Sequence, residues 1–166
     1  MLNVLRKTRN RDAARRLHAA IVARAREPVF FRDFAVADTL DGRFDLIVLH
    51  AWLVFDRLRA AGLNDLSQAL MDTLFVNFDE GLRDLGAGDM GMGRRMKTLA
   101  DAFYGRLAAY DAATDGDGMR AALVRNLYRG EEPDCAAAIA RYGMEIKERL
   151  SKADLSEGQL DFGPLP

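Results

Sequence analysis

The sequence has 166 residues, of which 49% are hydrophobic and 30% are charged, which suits one globular domain with its own core and excludes a disordered or fibrous chain. The formal net charge is −1 and there is one cysteine, Cys135, so an internal disulfide is excluded, as expected in a reducing compartment. No apolar run approaches the roughly 18 residues of a membrane span. The most apolar segment, Phe44 to Phe55, is interrupted by Asp45 and His50.

Basic residues are concentrated at the beginning of the sequence. Residues 1–26 contain eight Arg or Lys against one acid, a charge of +7, so the remaining 140 residues carry −8. Such a segment can bind anionic lipid, ribosomal RNA or an acidic protein, or it can be a solvated helix. An amphipathic helix is predicted over 12–26, ended by Pro28. We expect residues 1–27 to form a basic arm in peripheral contact with anionic membrane lipid, and we expect no nucleic-acid partner.

Apolar residues recur every three or four positions along the rest of the chain, which indicates α-helices rather than strands. After a short aromatic segment at 29–34, a helix is predicted over 41–61 with Asp41 as its N-cap. The next helix is predicted over 65–85, ended by Gly86, because its apolar residues keep a 3.6-residue period. The residues of that apolar stripe are Leu66, Leu70, Leu74, Phe78, Leu82 and Leu85.

The segment GAGDMGMG, at 86–93, contains four glycines and is predicted to be a flexible connector. Residues 151–166 are polar, with two glycines and two prolines, and are predicted to form an extended tail. The sequence therefore predicts an all-α fold, a single-domain bundle of five to six helices occupying 28–150. Its remaining helices are predicted at 93–113, 118–129 and 134–150.

Motifs for catalysis and metal binding are missing from the sequence. The two histidines, His18 and His50, are 32 positions apart, and Cys135 has no CxxC partner, so there is no zinc or di-iron ligand set. Read as a calcium loop, ATDGDG would place Val124 where the twelfth-position Glu belongs. No serine lies in a nucleophile elbow. We therefore expect no catalytic residue, no metal, no cofactor and no enzymatic activity.

His50 lies in the middle of the most apolar run, and two interpretations stay open for it. It is either a buried histidine, hydrogen-bonded to a carboxylate or a backbone carbonyl and, we expect, to a group on a neighbouring helix, or an axial ligand in a haem- or small-molecule-binding helical domain. Trp52, two positions later, is typical of a helical core.

Three segments are informative when taken together: LHAWLVFDRLRAAG, LSQALMDTLFVNFDEGLRDLG and GRRMKTLADAFYGRLAAYDAA. In their order and spacing they resemble the bacterial branch of the ubiquinol–cytochrome c chaperone family, over residues 28–150. The H-x-W-L motif falls on His50, Trp52 and Leu53, with Arg57 four positions further on. The other matching positions are Asp79, Arg83, Arg95, Met96, Lys97, Phe103, Tyr104, Tyr110 and Asp111.

The resemblance implies a non-enzymatic assembly factor for the respiratory cytochrome bc complex (complex III), located in the bacterial cytoplasm and peripherally at the inner membrane. Its partner would be newly made cytochrome b or another apolar subunit of that complex. In mitochondrial members, a helper subunit joins the chaperone near the ribosomal tunnel exit. Those members carry a longer N-terminal region than this chain, so a helper subunit and ribosome contact stay open here.

A client-binding groove, rimmed by charge, is the site that the resemblance and the residue types imply. The same aromatic residues also fit a closed core. The groove candidates are Trp52, Phe75, Met96, Phe103, Tyr104 and Tyr110. The rim candidates are Asp79, Arg83, Arg95, Lys97 and Asp111.

Overall fold

Helices account for most of the residues that the structure describes. The computed structural model describes residues 2–84 and 89–166, which form seven helices and no strand. They are α1 (Leu2–Ala25), α2 (Pro28–Arg32), α3 (Leu40–Ala60), α4 (Asn64–Asp84), α5 (Asp89–Asp111), α6 (Gly116–Asn126) and α7 (Ala136–Leu150). The predicted all-α, single-domain bundle is confirmed. Six of the described helices have 11 residues or more, and α2, with five residues, is a short addition to the five to six helices predicted.

Helix α3 lies at the centre of the bundle and packs against α1, α4, α5 and α7. The helix predicted over 41–61 is confirmed to within one residue at each end. Its N-cap is Thr39 rather than Asp41, because the Thr39 side chain accepts a hydrogen bond from the Gly42 N–H at 3.1 Å. The apolar run is buried nearly all round, as expected of a helix without a polar face.

Helix α1 begins earlier than the predicted residue 12 and belongs to the core over much of its length. Ala13, Ala14, Leu17 and Ile21 are buried, and the helix packs against α4 and α3. A solvated helix is therefore the wrong interpretation beyond the first turns, although residues 5–9 are exposed. The domain boundary at residue 27 stays a prediction.

The glycine-rich segment between α4 and α5 is partly helical, which corrects the predicted connector. Helix α5 begins at Asp89 and continues through Gly91 and Gly93, although each glycine costs about 1 kcal/mol in a helix relative to alanine. Burial of Met92, which is 6% exposed, offsets part of that cost. The predicted helix end at Leu85 and Gly86 lies outside the described residues.

Helix α6 begins where a turn was predicted. Asp115 is its N-cap, with Oδ1 accepting a hydrogen bond from the Gly118 N–H at 2.8 Å, so the acidic turn serves to start a helix. Helix α7 begins at Ala136, two positions after the predicted start.

The last residues, 151–166, contain no helix but pack against the bundle. Leu155 and Phe162 are buried. Three arginines hold the backbone of this tail by donating hydrogen bonds to carbonyl oxygens. The pairs are Arg57 with Ala153 at 2.7 Å, Arg16 with Glu157 at 3.0 Å, and Arg24 with Pro164.

Candidate functional site

An aromatic cluster joins the second half of α4 to α5. The ring centroid of Phe75 lies 5.8 Å from that of Phe78, 5.3 Å from Phe103 and 6.1 Å from Tyr104. The sequence places these rings together because positions 75 and 78, and the consecutive positions 103 and 104, lie on the sides by which the two helices meet. Phe103 is fully buried and contacts Phe55 of α3, edge to face, at 6.4 Å. The cluster is thereby anchored in the core.

The outer end of this cluster is open to solvent. Tyr104 is 52% exposed and stacks nearly parallel to Phe75, at 21° between the ring planes. Met96 and Phe75 are half-buried. We call the surface formed by the stacked rings of Phe75 and Tyr104 the α4–α5 face. Its rings are already fixed by neighbours, so a partner that packs there orders few additional side chains.

Charged side chains of α4 and α5 form ion pairs within each helix. Arg83 Nε lies 2.8 Å from Asp79 Oδ2 on α4, and Lys97 Nζ lies 2.8 Å from Asp101 Oδ2 on α5. Asp79 follows Phe75 by four positions and Lys97 precedes Tyr104 by seven, so each shares a side of its helix with a ring of the cluster. Arg95 is nine positions before Tyr104, and a helix turns through about 180° over that spacing. A rim role for Asp79, Arg83, Arg95 and Lys97 stays a prediction.

Trp52 and Asp111 join α3 to α5. The Trp52 indole N–H donates to Asp111 Oδ1 at 2.8 Å, and Arg59 donates to both Asp111 oxygens at 2.9 and 3.1 Å. These bonds, from Arg59 and then Trp52, hold the pKa of Asp111 below its ordinary value. Lys147 of α7 lies over the Trp52 ring at 5.0 Å. Because Trp52 is 1% exposed, it supports the bundle from within rather than lining a surface.

Sequence reasoning missed a buried ionic cluster around Asp45. This residue is fully buried, with Oδ1 at 2.6 Å from Arg106 Nε and Oδ2 at 2.7 Å from Arg129 Nη1. Burial raises the pKa of the Asp45 carboxyl and the two guanidinium groups oppose that shift. Arg129 reaches it from the α6–α7 connection, where its φ of 58° is unusual for a residue with a side chain. The one local signal was an acid inside the apolar run.

Tyr110, another groove candidate, is also fully buried, and its ring lies 5.6 Å from that of Trp52. Its hydroxyl makes no hydrogen bond within the described part of the chain. Burial and the nearby charge of Asp45 raise its pKa. Like Phe103, it is core beneath the α4–α5 face.

His50 is fully buried and both of its ring nitrogens are used. Nδ1 lies 2.8 Å from the Leu46 carbonyl oxygen, and Nε2 lies 2.8 Å from the Tyr142 hydroxyl oxygen on α7. A carbonyl only accepts, so Nδ1–H donates and Nε2 accepts from Tyr142. Arg24 of α1 in turn donates to the Tyr142 oxygen at 2.8 Å.

The prediction of a buried, hydrogen-bonded His50 is confirmed, and its partners are a backbone carbonyl and a hydroxyl on a neighbouring helix rather than a carboxylate. Burial lowers its pKa to about 4, so the ring is neutral near pH 7. Axial ligation of haem would require one of its two hydrogen bonds to break. This geometry speaks against the haem-binding interpretation.

The remaining motif residues serve packing. Leu53 is 1% exposed, and Arg57 holds the tail through the Ala153 carbonyl. Across the described residues, no three His, Cys, Asp or Glu side chains come together in a group that would hold a metal ion. None of the described helices is long and apolar enough to cross a membrane.

The sequence profile described as ubiquinol-cytochrome C chaperone matches residues 32–157. The chain belongs to the ubiquinol–cytochrome c chaperone family. The resemblance of the three quoted segments is therefore confirmed. A crystal structure of the Cbp3 homolog from Brucella abortus is 34% identical, covers 97% of each chain and superimposes with a TM-score of 0.82.

Eukaryotic proteins are also similar to this chain. The mitochondrial protein CBP3 of Saccharomyces cerevisiae is 27% identical over 150 residues, 81% of this chain and 44% of its own length. The ubiquinol-cytochrome-c reductase complex assembly factor 1 of Xenopus laevis is 24% identical over 153 residues, and that of Drosophila melanogaster is 25% identical over 157. The chain spans 75% and 60% of those two relatives.

Proposed function

We propose that this protein is a non-enzymatic assembly chaperone of the respiratory cytochrome bc complex (complex III), and that its client is newly made cytochrome b or a similarly apolar subunit. Membership of the chaperone family supports the assembly role, as do relatives named as assembly factors of ubiquinol–cytochrome c reductase. The observation that carries the client-binding role is the α4–α5 face, where Tyr104 stacks on Phe75 and is more than half exposed.

The mechanism needs only binding. A membrane-protein segment that has not yet been assembled exposes apolar side chains, and covering them gains about 25 cal/mol per Å². The Phe75–Tyr104 stack offers a flat, fixed surface for that purpose, and Phe103 connects it to the core. Rim charges that are already paired remain solvated at the edge of such a contact and keep the free chaperone soluble.

Site-specific photo-crosslinking in cells tests this proposal. A photoreactive residue replacing Tyr104 should crosslink to cytochrome b, whereas the same residue replacing Arg141, exposed on α7, should not. Deletion of the gene should lower cytochrome b and the assembled bc complex together. Normal levels of both in a clean deletion would refute the assembly role.

We also propose that the protein works in the bacterial cytoplasm and touches the inner membrane through the start of α1. Leu5 is 66% exposed, and the exposed cations around it include Arg6, Lys7 and Arg9. Each cation near an anionic surface contributes about 1 kcal/mol. The protein should sediment with phosphatidylglycerol vesicles but not with phosphatidylcholine vesicles. Binding that is equal for both lipids would contradict this contact.

A further inference from the structure

The stacked rings of the α4–α5 face continue into a longer row of aromatic side chains. The ring centroid of Phe75 lies 6.1 Å from that of Tyr104 and 5.8 Å from that of Phe78. Phe78 in turn lies 5.4 Å from Phe44, in the first turns of α3. Tyr104 is exposed, and the other three rings are half-buried. We call these four rings the aromatic row, which crosses from α5 over α4 to α3.

Buried groups hold the aromatic row in place. The fully buried ring of Phe103 contacts the three rings of α4 and α5, with centroids 5.3 to 6.1 Å away. At the α3 end, the Arg106 guanidinium lies over the Phe44 ring at 5.4 Å. Arg106 is itself fixed by the buried carboxylate of Asp45, at 2.6 Å. The surface is therefore formed before a partner arrives, and binding there orders few side chains.

The spacing of the four rings matches the repeat of a helix. Successive centroids are 5.4, 5.8 and 6.1 Å apart, and one turn of an α-helix rises about 5.4 Å. Side chains on one face of an extended strand repeat at about 6.7 Å instead. The steps make a path of about 17 Å, which about eleven helical residues span. A helix laid along the row therefore meets one ring per turn, with side chains at positions i, i+4, i+7 and i+11.

We propose that the aromatic row binds an apolar helix of the client, an inference that rests on the proposed client-binding function. The helix lies across α4, with one end at Tyr104 and the other at Phe44, and it places one apolar side chain against each ring. Membrane proteins that await assembly supply such helices, because their spanning segments are helical and apolar. The interaction surface therefore includes the start of α3 as well as the α4–α5 face.

Two designed peptides of equal composition test the inference on the full chain. Each has about sixteen residues, with four leucines in a background of alanine, glutamate and lysine. In the helical-face peptide the leucines are at i, i+4, i+7 and i+11, and in the alternating peptide they are at i, i+2, i+4 and i+6. Fluorescence anisotropy should give roughly 5- to 30-fold tighter binding of the helical-face peptide. Equal binding of the two, or tighter binding of the alternating peptide, would overturn the inference.

Variants along the row measure how far the bound helix reaches. Phe44→Ser and Phe78→Ser should each weaken binding of the helical-face peptide roughly 5- to 30-fold. The matched control is Val76→Ser, which removes a side chain that is 56% exposed but lies about 100° round α4 from Phe75, and it should leave the affinity unchanged. Benzoylphenylalanine keeps an aromatic ring at position 44 even if the serine variants unfold. It should crosslink to the peptide from position 44 and not from position 76.

The outcomes separate the aromatic row from the proposed function. If Tyr104→Ser weakened peptide binding while position 44 gave neither weakening nor a crosslink, the inference would fall and the α4–α5 face would stand. Weakening by Val76→Ser equal to that by Phe44→Ser would also overturn the inference. So would a dimer of the free chain that dissociates in Phe44→Ser, measured by sedimentation, because a second copy would then cover the row. If neither peptide bound, the inference and the proposed function would both fall.

Discussion

The hydroxyl oxygen of Tyr142 on α7 lies 2.8 Å from Nε2 of His50 on α3. The Arg24 guanidinium on α1 donates to the same oxygen at 2.8 Å. One hydroxyl group therefore links three helices that are distant in the sequence, at a position where no water is needed to satisfy the histidine. This arrangement of hydrogen bonds fits a neutral imidazole, in which Nε2 accepts the Tyr142 hydroxyl proton. In a protonated ring Nε2 carries its own N–H, and the Tyr142 hydroxyl would have to donate its proton to another group.

Stability should therefore fall as the pH is lowered through the range of histidine. The pKa of His50 is lowered from 6.5 to about 4 by burial, so below pH 6.5 the unfolded chain binds a proton that the folded chain does not. The free energy of unfolding should decrease by up to about 1.4 kcal/mol per pH unit, and by about 3 kcal/mol in total, between pH 6.5 and 4. Urea unfolding at pH 7 and at pH 4.5 measures the change.

His50→Gln is the control for this pH dependence. The variant should lose most of the slope and keep a smaller one from His18, whose pKa is also lowered, first by burial and then by Arg26. An unchanged slope in His50→Gln would show that another group is responsible.

Two Tyr→Phe variants should change the free energy of unfolding differently. Tyr142→Phe leaves His50 Nε2 buried without a donor, so it should lower the free energy of unfolding by about 1–3 kcal/mol. Tyr110→Phe removes a buried hydroxyl that makes no hydrogen bond in the described chain, so it should be neutral or slightly stabilising. Equilibrium unfolding of both variants under one set of conditions makes the comparison. Equal losses would contradict the hydrogen-bond assignment.

Removing the charge of Asp45 should strongly lower the stability of the fold. Asp45→Asn leaves the guanidinium groups of Arg106 and Arg129 without their carboxylate, and breaking a buried pair in this way costs about 3–5 kcal/mol. The matched change Asp79→Asn breaks a pair at the surface of α4 and should cost less than about 1 kcal/mol. Thermal unfolding distinguishes them. A mild effect of Asp45→Asn would mean that the cluster is dispensable for stability.

Tyr104 and its neighbour Phe103 should separate binding from folding. Tyr104→Ser should reduce binding of an apolar client by roughly 5- to 30-fold, the usual range for losing an aromatic anchor, with little change in the free energy of unfolding. Phe103→Ala should cost about 3–5 kcal/mol of stability because the ring is fully buried. Client affinity and unfolding are measured on each variant. Loss of stability in Tyr104→Ser would place its role in the core.

Most of the helices, but few of the site contacts, were predictable from the sequence. The apolar run around His50 predicted the central helix, because a helix that is buried on all sides has apolar residues on every face. The glycines at 91 and 93 led to the wrong prediction of a connector, because their low helix propensity is outweighed by the burial of Met92. Asp45 was missed because its partner Arg106 is 61 positions away. Phe103 and Tyr104 look alike in sequence, and only their places about the helix axis make one core and the other surface.

The arginine contacts to the tail determine how much its sequence can vary. Arg16, Arg24 and Arg57 donate to backbone carbonyl oxygens, which every residue possesses. These three contacts therefore do not depend on which side chains the tail residues carry. Identity matters instead at Gly158, whose φ is 75° and where a Cβ atom would lie 2.5 Å from the Ala13 carbonyl oxygen. Across homologous chains we accordingly expect the tail to keep its length and the glycine at position 158, while the residue types at its exposed positions vary.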